Sequence, residues 1–413
     1  MTTAPHTLDV SGQATPNPPD RTRRKGLAAL CVTEITSWGV LYYAFPVLVG
    51  SITVTEGWST VGVMAGFSLG LAASAIAGIP VGRLIDKHGP RPVMTFGSIL
   101  GVAAVIGIAM APDIWWFGLA WTISGIAQAC VFYKPAFAAI TGWYGPTRVK
   151  ALTALTLVAG LSSTIFAPLT ATLVDHTSWR TTYLILGVIL AVITIPAHAI
   201  YLRVPWEPHQ HSGASHDTVA TSTKAVIRSA PFITLTLVVM VATFAMFAVT
   251  LNLVPLLTEH GMSTSLAAWA LGLCGAGQLL GRVGYHRLST HTTPRFRTIA
   301  VLATAALAVV VMVATIGQPI AVIAAAVAFG ATRGILTLLE ATAVSDRWGT
   351  NAFGTLYGIY SAPATVAMAV TPFAGALLTE RLGGNEALFL AMAGLLIVGA
   401  IAAVSTNPKP SVS

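Results

Sequence analysis

Long apolar runs broken by short polar turns recur from one end of the chain to the other. A helix needs about 20 apolar residues to cross a bilayer. Runs of that length predict spans over Gly26–Gly50, Thr60–Arg83, Val93–Ala111, Trp115–Thr141, Val149–Val174 and Thr181–Leu202. A second set follows over Pro231–Leu257, Leu266–Gly284, Thr298–Ile316, Ile320–Ser345, Phe353–Leu378 and Glu386–Val404. Twelve spans result. The turns between them alternate in charge. One set carries Arg21, Arg23, Arg24 and Lys25, then Arg83, Lys87 and Arg91, and continues through Arg148, Lys150, Arg203, Arg287, Arg295 and Arg347. The intervening set holds only Arg180 and Arg381. Lys and Arg are retained on the cytoplasmic side, so both termini are expected in the cytoplasm, which requires an even number of spans. The expected location is the cytoplasmic membrane, crossed many times.

Composition agrees. Of 413 residues, 55% are hydrophobic and 9% charged, where a soluble domain carries about 25% charged residues. The net charge of +8 could suggest nucleic acid, but the basic residues are dispersed through turns and form no single face. No nucleic-acid partner is expected; the lipid bilayer is. Cys31, Cys130 and Cys274 lie in apolar runs without metal-ligand spacing and read as small buried hydrophobes. No metal and no cofactor is expected.

The expected organisation is a disordered tail over 1–25, a six-helix bundle over 26–203, a linker over 204–229, a second bundle over 230–404 and a tail over 405–413. His209, His211 and His216 sit in the linker and are read as binding nothing in particular. The halves echo one another: Gly78, Gly82 and Arg83 end the second span before a basic turn, as Gly277, Gly281 and Arg282 end the eighth. Parallel repeats of this kind build transporters. The pairs Gly66/Gly70, Gly277/Gly281 and Gly354/Gly358 are read as close-packing positions.

The stretch Gly82-x-x-x-Asp86-x-x-Gly89-x-Arg91 resembles the signature loop between helices two and three of the major facilitator superfamily. That resemblance implies an all-α membrane protein of twelve transmembrane helices in two pseudo-symmetric six-helix bundles, alternating between outward- and inward-open states. It also implies that Gly82, Asp86, Lys87, Gly89 and Arg91 bias the conformational equilibrium, with Asp86 at the domain interface and Lys87 and Arg91 making cytoplasmic contacts. Tyr43-Ala44-Phe45-Pro46, Gly57-Trp58-Ser59, Trp179-Arg180 and Gly281-Arg282 are similar to landmarks of the monocarboxylate-transporter branch and its bacterial relatives. In the proton-coupled animal members a lysine follows the helix-one proline and an aspartate precedes the helix-eight arginine by four. Here Val47 and Gln278 stand in those places. Gly160…Ala167-Pro168 resembles the drug–proton antiporter motif only in part.

An ionisable side chain within a span costs about 2.5–3.5 kcal/mol at the centre, so Glu34, Lys134, Arg282, Arg333 and Glu340 are the candidates for function. Two ion pairs are candidates, Glu34 with Lys134 and Arg333 with Glu340, each relieving its partner's desolvation; the alternative for Glu34 and Lys134 is that either snorkels to the cytoplasmic interface. By the resemblance, Arg282 is expected to meet a substrate carboxylate. Tyr43, Tyr133, Asn252 and Gln278 complete the candidate binding set, and Pro135 frees a backbone carbonyl for a cavity to satisfy. Three cations against two carboxylates favour an anionic substrate, and an Arg fork suits a carboxylate. Glu34 or Glu340 is the candidate for a coupling proton. The expected function is secondary transport of a small carboxylate-type anion, as a monomer. The alternatives are a proton-driven efflux carrier and, in a different class, a non-transporting membrane sensor. No HExxH, GxSxG or Walker motif points to an enzyme or an ATP-driven pump.

Overall fold

The computed structural model describes residues 20–206, 224–349 and 353–406. Twelve helices long and apolar enough to cross a membrane run through them. In chain order they are α1 (Arg21–Glu56), α2 (Thr60–His88), α3 (Pro90–Ala109), α4 (Ile114–Tyr144), α5 (Lys150–His176), α6 (Trp179–Tyr201), α7 (Ala230–Glu259), α8 (Thr264–Tyr285), α9 (Pro294–Ala314), α10 (Pro319–Thr342), α11 (Leu356–Leu382) and α12 (Asn385–Ser405). Large apolar side chains such as Ile76, Val192, Val283 and Ile401 are exposed on the outer surface, as a lipid-facing belt requires.

The helices form two bundles. In the first, Phe45 stacks on Phe67 at 4.3 Å and Trp121 meets both rings edge-on. In the second, Met246, Phe329, Phe389 and Leu396 are buried in one core. The repeat shows in the packing, since the tightest pairs are α2 with α4 and α8 with α10. Glycine permits both approaches. A Cβ on Gly125 would stand 1.9 Å from the Gly70 carbonyl oxygen, and one on Gly281 would stand 2.0 Å from that of Ala331. Gly358 meets nothing within 4 Å, so it is not a packing position, in contrast to the reading of Gly354/Gly358. The bundles join along α5 with α8 and α2 with α11. Hydrogen bonds cross that seam, among them Thr164 Oγ1 donating to the Gly272 carbonyl at 2.8 Å and the Phe373 N–H donating to Ser68 Oγ at 2.9 Å.

Three spans of the first bundle are interrupted within their length, and α6 ends in a π-helical turn at Ala197–Tyr201. α1 carries a π-helical turn at Gly39–Tyr43. α4 breaks at Phe132, whose backbone is extended (φ −83°, ψ −170°), two residues before Lys134. α5 breaks between Ala159 and Ser162. α7, α8, α10 and α11 are continuous, although Pro255, Pro363 and Pro372 lie within them.

One boundary differs from the sequence reading. The first helix already runs from Asp20, not Gly26, because the basic segment Arg21–Lys25 adds a turn and more to the apolar span. The linker reading falls largely on residues 207–223, outside the described residues, as do the three linker histidines and the remainder of the N-terminal tail.

Candidate functional site

A cavity of about 270 Å³ lies at the seam, walled by both bundles. The first contributes Trp38, Tyr43 and Tyr133; the second contributes Gln278, Arg282, Arg333, Glu340 and Tyr357. Close packing of α8 on α10 sets the charged wall: a Cβ at Gly334 would meet the Gln278 carbonyl at 2.1 Å. That proximity puts Arg333 and Gln278 at one level.

Arg333 is buried, 7% exposed. Its Nη1 donates to Thr250 Oγ1 at 3.0 Å, and its guanidinium lies over the Phe247 ring, 4.3 Å from the centroid. The ring face offsets part of the desolvation. Glu340 instead accepts a hydrogen bond at Oε1 from Thr243 at 3.1 Å. The expected Arg333–Glu340 pair is absent among the ion pairs of the described residues. Seven residues of helix rise about 10 Å, so sharing a face does not bring the two charges into contact. Both line the same cavity, however, with room for a ligand between them.

Arg282 crosses the seam. Its Nη1 donates to the Thr156 carbonyl in α5 at 2.6 Å, while its Nε is buried without a partner. Tyr133 in the opposite wall interacts with the same guanidinium, and Tyr42 with that of Arg333. Both cavity arginines of the second bundle thus face a tyrosine of the first.

Glu34 is fully buried and does not reach Lys134. Its Oε2 accepts from Trp38 Nε1 at 3.0 Å, and its Oε1 is buried without a partner. Lys134 is exposed, with Nζ near Gly78 of α2. The break at Phe132 restarts the helix at Tyr133, one residue before Lys134. Asn252 is also displaced from its expected place. It lines a second cavity of about 750 Å³ at the far end of the bundles, with Asp175, Glu259 and Glu380, and its amide donates to the Ala248 carbonyl of its own helix.

The stretch Gly82–Arg91 is not a turn. α2 stays helical to His88, with Lys87 and His88 in its last turn, where cations complement the helix dipole. Gly89, at φ 78°, ends it, and Pro90 opens α3; only a glycine takes that φ without strain. Arg91 Nε donates to the Ala199 carbonyl of α6 at 2.9 Å. Trp206 packs against Gly89 and donates from Nε1 to the Asp86 carbonyl at 3.2 Å. These bonds stay within the first bundle; Asp86 and Arg91 were expected to act at the domain interface and in cytoplasmic contacts. In the second bundle, Arg297 pairs with Asp346 at 2.5 Å, and Arg347 Nη2 donates to Thr298 Oγ1 at 3.2 Å. Burial holds the Arg347 guanidinium below its ordinary pKa.

Sequence reasoning missed Trp38, Thr156, Thr243, Phe247 and Thr250. Trp38 was reachable, being four residues after Glu34 on one helix face. The threonines carry no such signal, since most hydroxyls in a span bond their own backbone, as Thr258 and Thr371 do here.

Two helical bundles around a polar cavity at their seam, embedded in an apolar belt, are the architecture of a membrane transporter and not of an enzyme. The chain belongs to the Major Facilitator Superfamily, whose family model matches residues 27–362. It is 25% identical to monocarboxylate transporter 13 of Bos taurus over 330 residues, covering 78% of this chain and 73% of that one. Among solved structures it is similar to a bacterial homolog of the human lysosomal transporter Spinster, in an inward-facing, unoccupied conformation (TM-score 0.73, 14% identity, 95% of this chain and 100% of that chain). It is likewise similar to the nucleoside transporter NupG (TM-score 0.70, 13% identity, 93% and 98%). At those identities the structures speak to the fold alone.

Proposed function

We propose that this chain is a secondary carrier for a small carboxylate-type anion, moved across the cytoplasmic membrane by alternating access with both termini in the cytoplasm. The observation that carries the reading is the seam cavity, where Arg282 and Arg333 of one bundle face Trp38, Tyr43 and Tyr133 of the other. Guanidinium forks suit a carboxylate, and about 270 Å³ is below the roughly 300–1,000 Å³ that drug-sized ligands occupy. The name of the bovine relative, a monocarboxylate transporter, agrees.

Arg282 links binding to motion. Its bond to the Thr156 carbonyl ties the bundles together, and an arriving carboxylate competes with that oxygen for the same guanidinium. A ligand that changes the strength of a contact between the bundles shifts the equilibrium between their arrangements. Gly82, Asp86, Lys87, Gly89 and Arg91 set that equilibrium from the end of α2, through the single-residue hinge and its anchors on Ala199 and Trp206. Glu340 shares the cavity with both arginines and carries the coupling proton in this reading, with Glu34 behind Trp38 as the other candidate.

Flux into proteoliposomes tests this directly, using labelled acetate, pyruvate, lactate and arylacetates with and without an imposed pH gradient. Saturable uptake of at least one carboxylate, accelerated by an inward proton gradient, is the expected result. No uptake and no counterflow of any carboxylate would end the proposal.

A further inference from the structure

The seam cavity has a neighbour. A pocket of about 160 Å³ opens beside it and shares Trp38, Tyr133, Thr365 and Met368 with it. Its remaining walls are mostly apolar or aromatic: Tyr42, Leu71, Ala75, Ala129 and Phe132. Trp38 stacks on Phe132 with centroids 4.0 Å apart and planes 10° apart, and Tyr42 and Tyr133 stand 5.5 and 5.2 Å from the same indole. The pocket is a product of broken backbone: Phe132 is the break in α4, and Tyr42 lies in the π-helical turn of α1.

One polar atom of these walls, Gln128 Oε1, is buried without a hydrogen-bond partner. The Gln128 amide is oriented, because its Nε2 donates to the Leu41 carbonyl at 3.3 Å and to Ser124 Oγ at 3.4 Å. Its oxygen is left as an acceptor, which a buried site tolerates poorly unless a donor arrives.

We propose that this side pocket is the subsite for the aromatic tail of the transported carboxylate. The substrate class is an arylcarboxylate with a short spacer, its carboxylate at Arg282 and Arg333 and its ring in the pocket walled by Tyr42, Leu71 and the stacked Trp38–Phe132 pair. A hydroxyl on the ring improves the fit by donating to Gln128 Oε1. The inference rests on the carboxylate reading above. Aromatic faces receive a ring edge-on or offset, and an aliphatic acid of two or three carbons leaves this volume unfilled. Lys134 stands exposed at the pocket's rim.

The test is binding of sodium acetate, phenylacetate, 4-hydroxyphenylacetate and the uncharged 2-phenylethanol to purified full-length protein, by calorimetry and thermal shift. Phenylacetate is expected to bind at least about tenfold tighter than acetate, as burial of added apolar groups requires, and 4-hydroxyphenylacetate at least as tightly as phenylacetate. Ala75→Phe, which fills the pocket, is expected to remove the advantage of both aryl acids while acetate still binds; Ser74→Leu serves if that variant does not fold. Equal binding of acetate and the aryl acids, or an aryl advantage that survives a folded pocket-filling variant, overturns the subsite and leaves the carboxylate reading standing. Binding of 2-phenylethanol as tight as that of phenylacetate overturns both.

Discussion

The two bundles repeat one another in topology but not in how they build the site. In the first bundle the backbone is irregular where it meets the cavity: α1 bulges at Gly39–Tyr43, α4 breaks at Phe132 and α5 breaks near Gly160. Its contribution is aromatic. In the second bundle α7, α8, α10 and α11 run unbroken and carry Arg282, Arg333 and Glu340. A straight helix fixes a charge by its neighbours: Thr250 and Phe247 hold Arg333, and Thr243 holds Glu340. Irregular backbone in a membrane is tolerated where it lines a cavity, and there it re-aims bulky rings that a regular helix would point elsewhere. The division of labour is therefore physical, with rigid helices holding charge and broken ones shaping volume.

The comparison can be broken in several ways. The largest effect belongs to the packing that holds the charged wall. Gly281→Leu places a side chain into the Ala331 carbonyl and is expected to cost about 3 kcal/mol or more, seen as loss of monodisperse protein. Gly358→Ala, in open space, is expected to stay within about 0.5 kcal/mol of the parent. Equal behaviour of the two would sink the claim that glycine sets the α8–α10 distance.

Next comes the charge itself. Arg333→Gln is expected to lower kcat/KM for carboxylate uptake by about 100-fold, as loss of a buried charged partner does, with the melting temperature checked in parallel. Arg333→Lys keeps charge without the fork and should recover only part of that. Tyr43→Phe, in the aromatic wall, is expected to cost no more than about fivefold, a lost neutral hydrogen bond being worth about 1 kcal/mol at most here. A loss at Tyr43 matching that at Arg333 would erase the division between the walls.

Trp38→Phe preserves a ring and removes the donor to Glu34. Uptake should fall by about three- to tenfold and its pH dependence should move, because the Glu34 carboxyl then lacks its hydrogen-bond donor; an unchanged pH profile would argue that the indole acts as a wall only.

The smallest effect lies at the far end of the second bundle. His260 Nδ1 meets the Leu256 carbonyl at 2.8 Å and its Nε2 lies 2.6 Å from Glu386 Oε1. The carbonyl first, and then Glu386, raise its pKa above the ordinary value. A raised folded pKa means the folded state binds more proton, so the stabilisation is complete below about pH 6.5 and fades as pH rises through the raised value. Melting across pH 6 to 9 should therefore decline slightly more in the parent than in His260→Gln, by about a degree, since exposed pairs contribute little.

Much of this was written in the order of residues. Apolar run length gives the twelve spans, the alternation of basic turns separates the two ends, and five ionisable residues within spans identify where chemistry must be sought, because a bare charge in hydrocarbon is too costly to be idle. Those are one-dimensional quantities. Pairing is not. Glu34 and Lys134 looked complementary, yet Glu34 accepts from Trp38 and Lys134 stands beside Gly78; Arg333 and Glu340 shared a face but not a contact; Asn252 belonged to the other cavity. Gly82–Arg91 was read as a polar loop, yet its form as helix, hinge and helix goes with Trp206 packed on Gly89 and Ala199 holding Arg91, each from more than a hundred residues away. Composition and periodicity thus determined what is buried in the membrane and which residues are costly there. Only the tertiary structure decided which partner relieves each cost, because that choice is made by distances of a few ångströms between helices that the sequence places far apart.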